Sequence, residues 1–188
     1  MRLAIFGGTF DPVHEAHLAV AREAADRFQL DRVLLIPAAR PPHKRSGACA
    51  SYEDRVRMAE LATAGDPRLR VSRLEEGTER SYSIDTIEKL RAELSSDDEL
   101  FFIIGADAFA EIHTWHRWRE VAAAVCFLVV SRPHAEYAPP PEVSYVRLDT
   151  LSLDISSSGI RRALAAGLRP ASLAPTVLDY IETHHLYR

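Results

Sequence analysis

Apolar residues follow two rhythms along this chain. Short, nearly unbroken apolar runs over residues 2–6, 33–36, 100–104 and 125–130 read as strands covered on both faces. Between the first two, Leu18, Ala21, Ala25 and Phe28 recur at helical spacing against Arg22, Glu23, Asp26 and Arg27, predicting an amphipathic helix over 15–28. Gly7-Gly8, Pro37 and Gly105 end three of the strands. Further strands are predicted at 69–74 and 143–148. Ser51 opens a second helix, with Asp54 placed for a capping-box-like pair and Gly65 as its stop. Helices also read at 83–94, 117–124, 157–166 and 175–184. The stretch 37–50, rich in Pro, Arg, Lys and Gly, and the prolines of 138–141 read as surface loops.

Strands alternating with helices point to an α/β fold, because parallel strands need helical crossovers. The expected architecture is a doubly wound, Rossmann-like, mostly parallel sheet with a small C-terminal helical subdomain at about 150–188. The whole chain 1–188 is expected to form one domain, and it shows no internal repeat. In such sheets ligands bind beyond the carboxyl ends of the strands.

Composition narrows the function. With 188 residues and 47% of them hydrophobic, the chain can bury one core. Lys and Arg number 23 against 27 Asp and Glu, a net charge of −4, which argues against nucleic acid or an anionic membrane as partner. A small basic pocket for one phosphorylated ligand remains compatible with that balance. The two cysteines, Cys49 and Cys126, lie far apart and build neither a zinc pattern nor a disulfide framework, which suits a reducing compartment. The apolar runs fall short of the ~20 residues of a membrane span. The short run before Gly7-Gly8 is also too brief for a secretion signal. A cytoplasmic protein is expected.

Two stretches carry candidate chemistry. After the first strand comes Gly7-Gly8-Thr9-Phe10-Asp11-Pro12-Val13-His14-Glu15-Ala16-His17. The glycines let the backbone approach a ligand, and His14 and His17 share one face at a helix start. A helix N-terminus suits an anion. The stretch is neither a Walker A loop nor a GxGxxG fingerprint, and it is one residue short of HExxH. A structural metal site or a bland turn with two solvated histidines are the rival readings, and Asp11 reads as a turn former. Near the other end, Ile155-Ser156-Ser157-Ser158-Gly159-Ile160-Arg161-Arg162 runs three hydroxyls into a helix start with an arginine one turn in. Alone it is an ordinary serine N-cap; with the first stretch it becomes a second phosphate cradle.

These residues resemble the nucleotidylyltransferase superfamily, which shows an early HxGH motif and a late ISSTxIR motif. Within it the chain is similar to the bacterial nicotinate mononucleotide adenylyltransferases. That closer likeness also rests on Ile36-Pro37 with Pro41-Pro42-His43-Lys44, on Ser81-Tyr82-Ser83 and on Phe102-Ile103-Ile104-Gly105-Ala106-Asp107. It extends to Thr114-Trp115 with Ser131-Arg132-Pro133, and so covers almost the whole chain. Two positions depart from the pattern: Ala16 stands at the HxGH glycine and Ser158 at the ISSTxIR threonine.

The resemblance implies adenylyl transfer from ATP to nicotinate mononucleotide, giving nicotinate adenine dinucleotide and pyrophosphate, by in-line attack with no covalent intermediate. It implies His14, His17 and Arg161 as catalytic residues, the histidines acting in protonated or N–H-donating form. ATP would be held by Gly7, Gly8, Thr9, Phe10, Ser156, Ser157, Ser158 and Ile160 together with those three. The mononucleotide would meet Thr9, His43, Lys44, Tyr82, Ser83, Asp107, Trp115 and His116, with Trp115 stacked on the pyridine ring. Blander readings stand beside several of these: a solvated basic loop for His43 and Lys44, a helix N-cap for Asp107, and core packing for Trp118. Mg²⁺ is implied as a cofactor bound through the ATP phosphates, with no protein metal site. The expected state is a monomer or small homo-oligomer. Competing readings are a sister transferase acting on phosphopantetheine or an alcohol phosphate, and a nucleotide sensor without turnover.

Overall fold

The computed structural model describes residues 1–40, 48–78, 80–131, 142–149 and 155–188, Asp149 by its backbone alone. The proline stretch 138–141, like His43 and Lys44, lies outside the described residues. Six strands form one sheet: β1 (Arg2–Gly8), β2 (Arg32–Pro37), β3 (Leu69–Val71), β4 (Glu99–Gly105), β5 (Cys126–Ser131) and β6 (Tyr145–Asp149). Their order is β3-β2-β1-β4-β5-β6 and every pairing is parallel, with Phe6 opposite Leu35 on one side and Ile103 on the other. This is the doubly wound order, in which the connections reverse direction between β1 and β4.

Alternation along the strands explains why both faces are covered. In β1, Ala4 points to one face while Leu3 and Ile5 point to the other; in β4, Phe101 and Ile103 oppose Leu100, Phe102 and Ile104. The first face packs against α1 (Glu15–Arg27), α2 (Tyr52–Thr63), α6 (Ser157–Ala165) and α7 (Pro175–Thr183) through Leu18, Ala21, Met58, Ala59, Ile160, Val177, Leu178 and Ile181. The second packs against α3 (Ser83–Glu93), α4 (Ala106–Ala110) and α5 (Trp118–Ala124) through Ile84, Ile87, Leu90, Phe109 and Val121. Among the described residues no helix is long and apolar enough to cross a membrane.

The predicted elements appear in order, with three differences. The strand expected at 69–74 pairs over only three residues, Leu69–Val71, after which the Ser72 N–H donates to the Leu35 carbonyl and the chain departs. The last strand begins at Tyr145, two residues later than expected. Between β4 and α5 the chain adds α4 and a single 3₁₀ turn (Ile112–Thr114), pieces too short to show a hydrophobic period. The Ser51 signal acts as read: its hydroxyl caps α2, accepting from the Asp54 N–H at 3.1 Å.

Candidate active site at the switch point

Where the connections reverse, β1 ends at Gly8 and its neighbour β4 at Gly105. Two loops leave this edge in opposite directions, which opens a crevice between them. The β1–α1 loop forms its floor. Ala38 donates its N–H to the Gly8 carbonyl at 2.8 Å, and Phe10 sits at φ 47 with its ring only 2% exposed. The ring stands edge-on to Phe6 (5.6 Å between centroids) and to His17 (5.0 Å). Phe10 therefore supports the imidazole from behind.

His14 is the N-cap of α1 and His17 its third residue. Their rings stack with centroids 3.7 Å apart, and the His14 N–H donates to His17 Nδ1 at 3.2 Å. That bond makes Nδ1 an acceptor, so in the neutral ring the proton sits on Nε2 and serves as a donor. Burial lowers the His14 pKa to about 4; burial and the adjacent His14 lower that of His17 to about 3. At neutral pH without ligand both rings are uncharged. Without a ligand, burial and the contact between the rings favour the neutral, N–H-donating form over the protonated one. The expected free N–H groups of the α1 start are also fewer than the sequence suggested: that of Glu15 donates to the Ser172 carbonyl and that of His17 to the His14 carbonyl, both at 2.9 Å.

The late motif lies directly on this loop. Ser156 caps α6, accepting from the Gly159 N–H at 3.1 Å, as the N-cap reading had it. Ser157 Oγ donates to the Pro12 carbonyl at 3.0 Å, and Arg161 Nη1 donates to the Asp11 carbonyl at 2.7 Å. The two stretches, at opposite ends of the sequence, thus share one mouth. Ser158 Oγ lies 3.3 Å from Ser156 Oγ on the exposed side. Ile160, 4% exposed, faces the core.

Sequence reasoning missed the buttresses. Asp11, read as a turn former, is 1% exposed, and its carboxylate accepts from the N–H groups of Cys49 (2.7 Å) and Ala50 (3.1 Å) and from the Tyr187 hydroxyl (2.7 Å). Burial pushes this carboxyl up, but those donors and the Arg161 charge outweigh it and hold it below the usual carboxylate range. Arg55, also 1% exposed, donates from Nη1 to the carbonyls of Thr9 and Ala38, both at 2.8 Å, strapping the β1 and β2 exits together. A buried arginine and a C-terminal tyrosine show no pattern that marks them; only the fold brings them in.

Beyond Gly105 lies a cluster of aromatic rings. Tyr82, the N-cap of α3, holds its ring 4.5 Å from that of His116, and Trp115 stands edge-on to Phe102 at 5.8 Å. Arg117, left-handed at φ 52, carries this loop and ties it to α3 through Glu88 at 2.6 Å. Ser83 opens α3 beside Tyr82. Asp107 is exposed in the first turn of α4, whose N-cap is Gly105, not Asp107. Behind Ser81, which exchanges bonds with the Arg40 backbone, Glu75 is buried with Thr86 Oγ1 donating to Oε1 at 3.2 Å. Burial pushes its carboxyl above the ordinary range. Among the described residues no three His, Cys, Asp or Glu group as metal ligands.

Chemically, the mouth offers uncharged imidazole N–H, a guanidinium fork and serine hydroxyls, a donor set for a polyphosphate, next to a cluster of aromatic rings. A model of the cytidylyltransferase-like family matches residues 5–163. A probable nicotinate-nucleotide adenylyltransferase of Solibacter usitatus is 66% identical over 187 residues, covering 100% of both chains. One of Pseudomonas aeruginosa is 40% identical over 211 residues, covering 100% of this chain and 97% of the relative. Among solved structures, the Plasmodium falciparum nicotinic acid mononucleotide adenylyltransferase complexed with NaAD has the same fold, with a TM-score of 0.80 at 20% identity over 99% of this chain and 97% of that one.

Proposed function

The chain belongs to the cytidylyltransferase-like family and, within it, to the nicotinate-nucleotide adenylyltransferases, and on that premise we propose that the crevice between β1 and β4 joins ATP to nicotinate mononucleotide. The products are nicotinate adenine dinucleotide and pyrophosphate. A phosphate oxygen of the mononucleotide attacks the α-phosphorus of ATP in line, the bond from that phosphorus to the β-bridging oxygen breaks, and pyrophosphate leaves. The nucleophile is already an anion, so no general base is required and the protein contributes alignment and charge stabilisation.

The supporting observation is the docking of α6 on the Asp11-Pro12 loop, which sets Arg161 and the serines beside His14 and His17. In this reading His17 donates from Nε2 to the α-phosphate as charge builds there. His14, stacked against it, completes the pair. Arg161 and Ser158 take the β- and γ-phosphates, with the Gly7-Gly8-Thr9 backbone lining the nucleotide. Tyr82, Ser83, Trp115 and His116 are assigned to the pyridine ring and Asp107 to the sugars, with His43 and Lys44 carried over to the phosphates by resemblance alone. Magnesium arrives as part of the substrate, Mg·ATP; this ion keeps most of its waters and takes few protein ligands.

The test mixes protein, Mg·ATP and either nicotinate or nicotinamide mononucleotide and follows pyrophosphate. Release with the nicotinate substrate is expected; none with either substrate overturns the reading. Replacing His17→Ala lowers kcat by roughly 10²–10³, the scale of losing one transition-state donor.

A further inference from the structure

The catalytic mouth contains an unusual triangle. The Arg161 guanidinium lies 3.8 Å from the Asp11 carboxylate, beyond hydrogen-bond length, although Asp11 is almost wholly buried and Arg161 only a quarter exposed. Instead Nη1 bonds the Asp11 carbonyl at 2.7 Å. An arginine this close to a buried carboxylate ordinarily closes on it in a forked pair, since burial strengthens the attraction. Here the carboxylate is already satisfied by Cys49, Ala50 and Tyr187.

Tyr187 reaches Asp11 from the second-last position of the chain. After α7, the Leu186 N–H returns to the Ile181 carbonyl at 3.0 Å and His185 and Tyr187 adopt left-handed φ of 54 and 61, turning the tail back over the site. Leu186 and Tyr187 then pack against the core cluster that holds Phe10, Val13 and Ile160. Burial and the bond to Asp11 push the Tyr187 hydroxyl far above its usual range, so it stays protonated and donates.

We propose that Tyr187 is a positioning residue for the nucleotide: by satisfying the Asp11 carboxylate, it keeps Arg161 from collapsing onto Asp11 and leaves the guanidinium fork free for the triphosphate. Oδ2, the oxygen nearest Arg161, accepts from Cys49, while Tyr187 and Ala50 donate to Oδ1. Without the hydroxyl the carboxylate loses one of its three donors among the described residues, and its charge is left to draw Arg161 onto Oδ2. Arg161 then swings from the carbonyl to the carboxylate and is neutralised where ATP needs its charge. The inference rests on the adenylyl-transfer reading for its choice of ligand, but its readout is Mg·ATP binding, which needs no acceptor.

Tyr187→Phe keeps the ring and removes only the donor. Calorimetry with Mg·ATP is expected to show Kd about tenfold weaker, the lower range for a lost hydrogen bond to a charged group. With nicotinate mononucleotide present, KM for ATP rises while KM for the mononucleotide stays unchanged. In an Asp11→Asn background, where no carboxylate competes for Arg161, Tyr187→Phe costs nothing further. Tyr180→Phe, which removes the bond from α7 to Asp54 of α2 at 2.9 Å, leaves Kd unchanged and controls for loosening of the helix. Wild-type affinity in Tyr187→Phe overturns the proposal, as does an equal loss in Tyr180→Phe; should Asp11→Asn fail to fold, that comparison alone decides. A wild type that binds Mg·ATP without releasing pyrophosphate from either mononucleotide refutes the reaction while leaving this inference standing.

Discussion

Gly8 and Gly7 are adjacent in sequence, yet the structure assigns them opposite tolerance. A Cβ on Gly8 would fall 2.9, 3.0 and 3.2 Å from three atoms of the Phe10 ring, whereas on Gly7 the nearest atom is Phe102 Cζ at 3.8 Å. The Phe10 ring is 2% exposed, held by a backbone at φ 47 and wedged against Phe6 and His17, so it has no empty space to rotate into. Gly8→Ala is therefore an overpacking change worth about 1–3 kcal/mol. At ~2–4 °C per kcal/mol for a chain of this size, melting falls by roughly 2–12 °C. Because the ring pushes on His17, kcat falls as well, by up to ~10² for a displacement approaching an ångström. Thermal melts of Gly7→Ala, Gly8→Ala and Gly8→Ala with Phe10→Leu provide the assay. The first should melt near wild type, the second below it, and the third should recover part of the loss. A Gly8→Ala protein that melts like wild type, or a Gly7→Ala protein that melts lower, refutes the wedge.

Other expectations follow from the buried polar groups. Arg55→Met strands the Thr9 and Ala38 carbonyls and should cost about 3 kcal/mol in urea unfolding, at ~1–3 kcal/mol per orphaned group; a smaller cost than a surface substitution would refute the strap. His14 and His17 have folded pKa values near 4 and 3 against 6.5 unfolded, so the unfolded chain binds more protons below neutrality. Stability from the neutral pair is full above pH 6.5 and lost as pH falls toward 4; the double variant with Asn at both positions should flatten that part of the melting profile. Glu75 has its pKa raised by burial, so its penalty grows as pH rises above the 4.5 of an ordinary glutamate. Glu75→Gln should melt higher than wild type at pH 8 and no higher at pH 4, the reverse order contradicting the assignment.

How legible the molecule was depended on the range of the interaction. Strands such as Glu99–Gly105 and helices such as Glu15–Arg27 lie within a residue or two of their sequence reading, because burial on one or both faces imprints a local period. The two stretches proposed to hold the phosphates were readable for a similar reason: each is a contiguous motif at a strand or helix end. Asp11 was not, since its partners lie 38, 39 and 176 positions away and its neighbour Pro12 made it look like any turn. Arg55 sits on a helix where a charged residue normally faces water, and nothing local says that it turns inward to two carbonyls. Phe10 and Ile160, grouped with the ATP ligands by resemblance, have buried side chains, a direction that the motif does not record.

The most direct test is a crystal structure of the protein with Mg²⁺ and an ATP analogue whose α–β bridge cannot be cleaved. A single triphosphate is expected within hydrogen-bond distance of both His17 Nε2 and the free side of the Arg161 guanidinium, with the α-phosphate at the histidines. Phosphates held by only one of these two groups, with the other turned to solvent, would contradict the account.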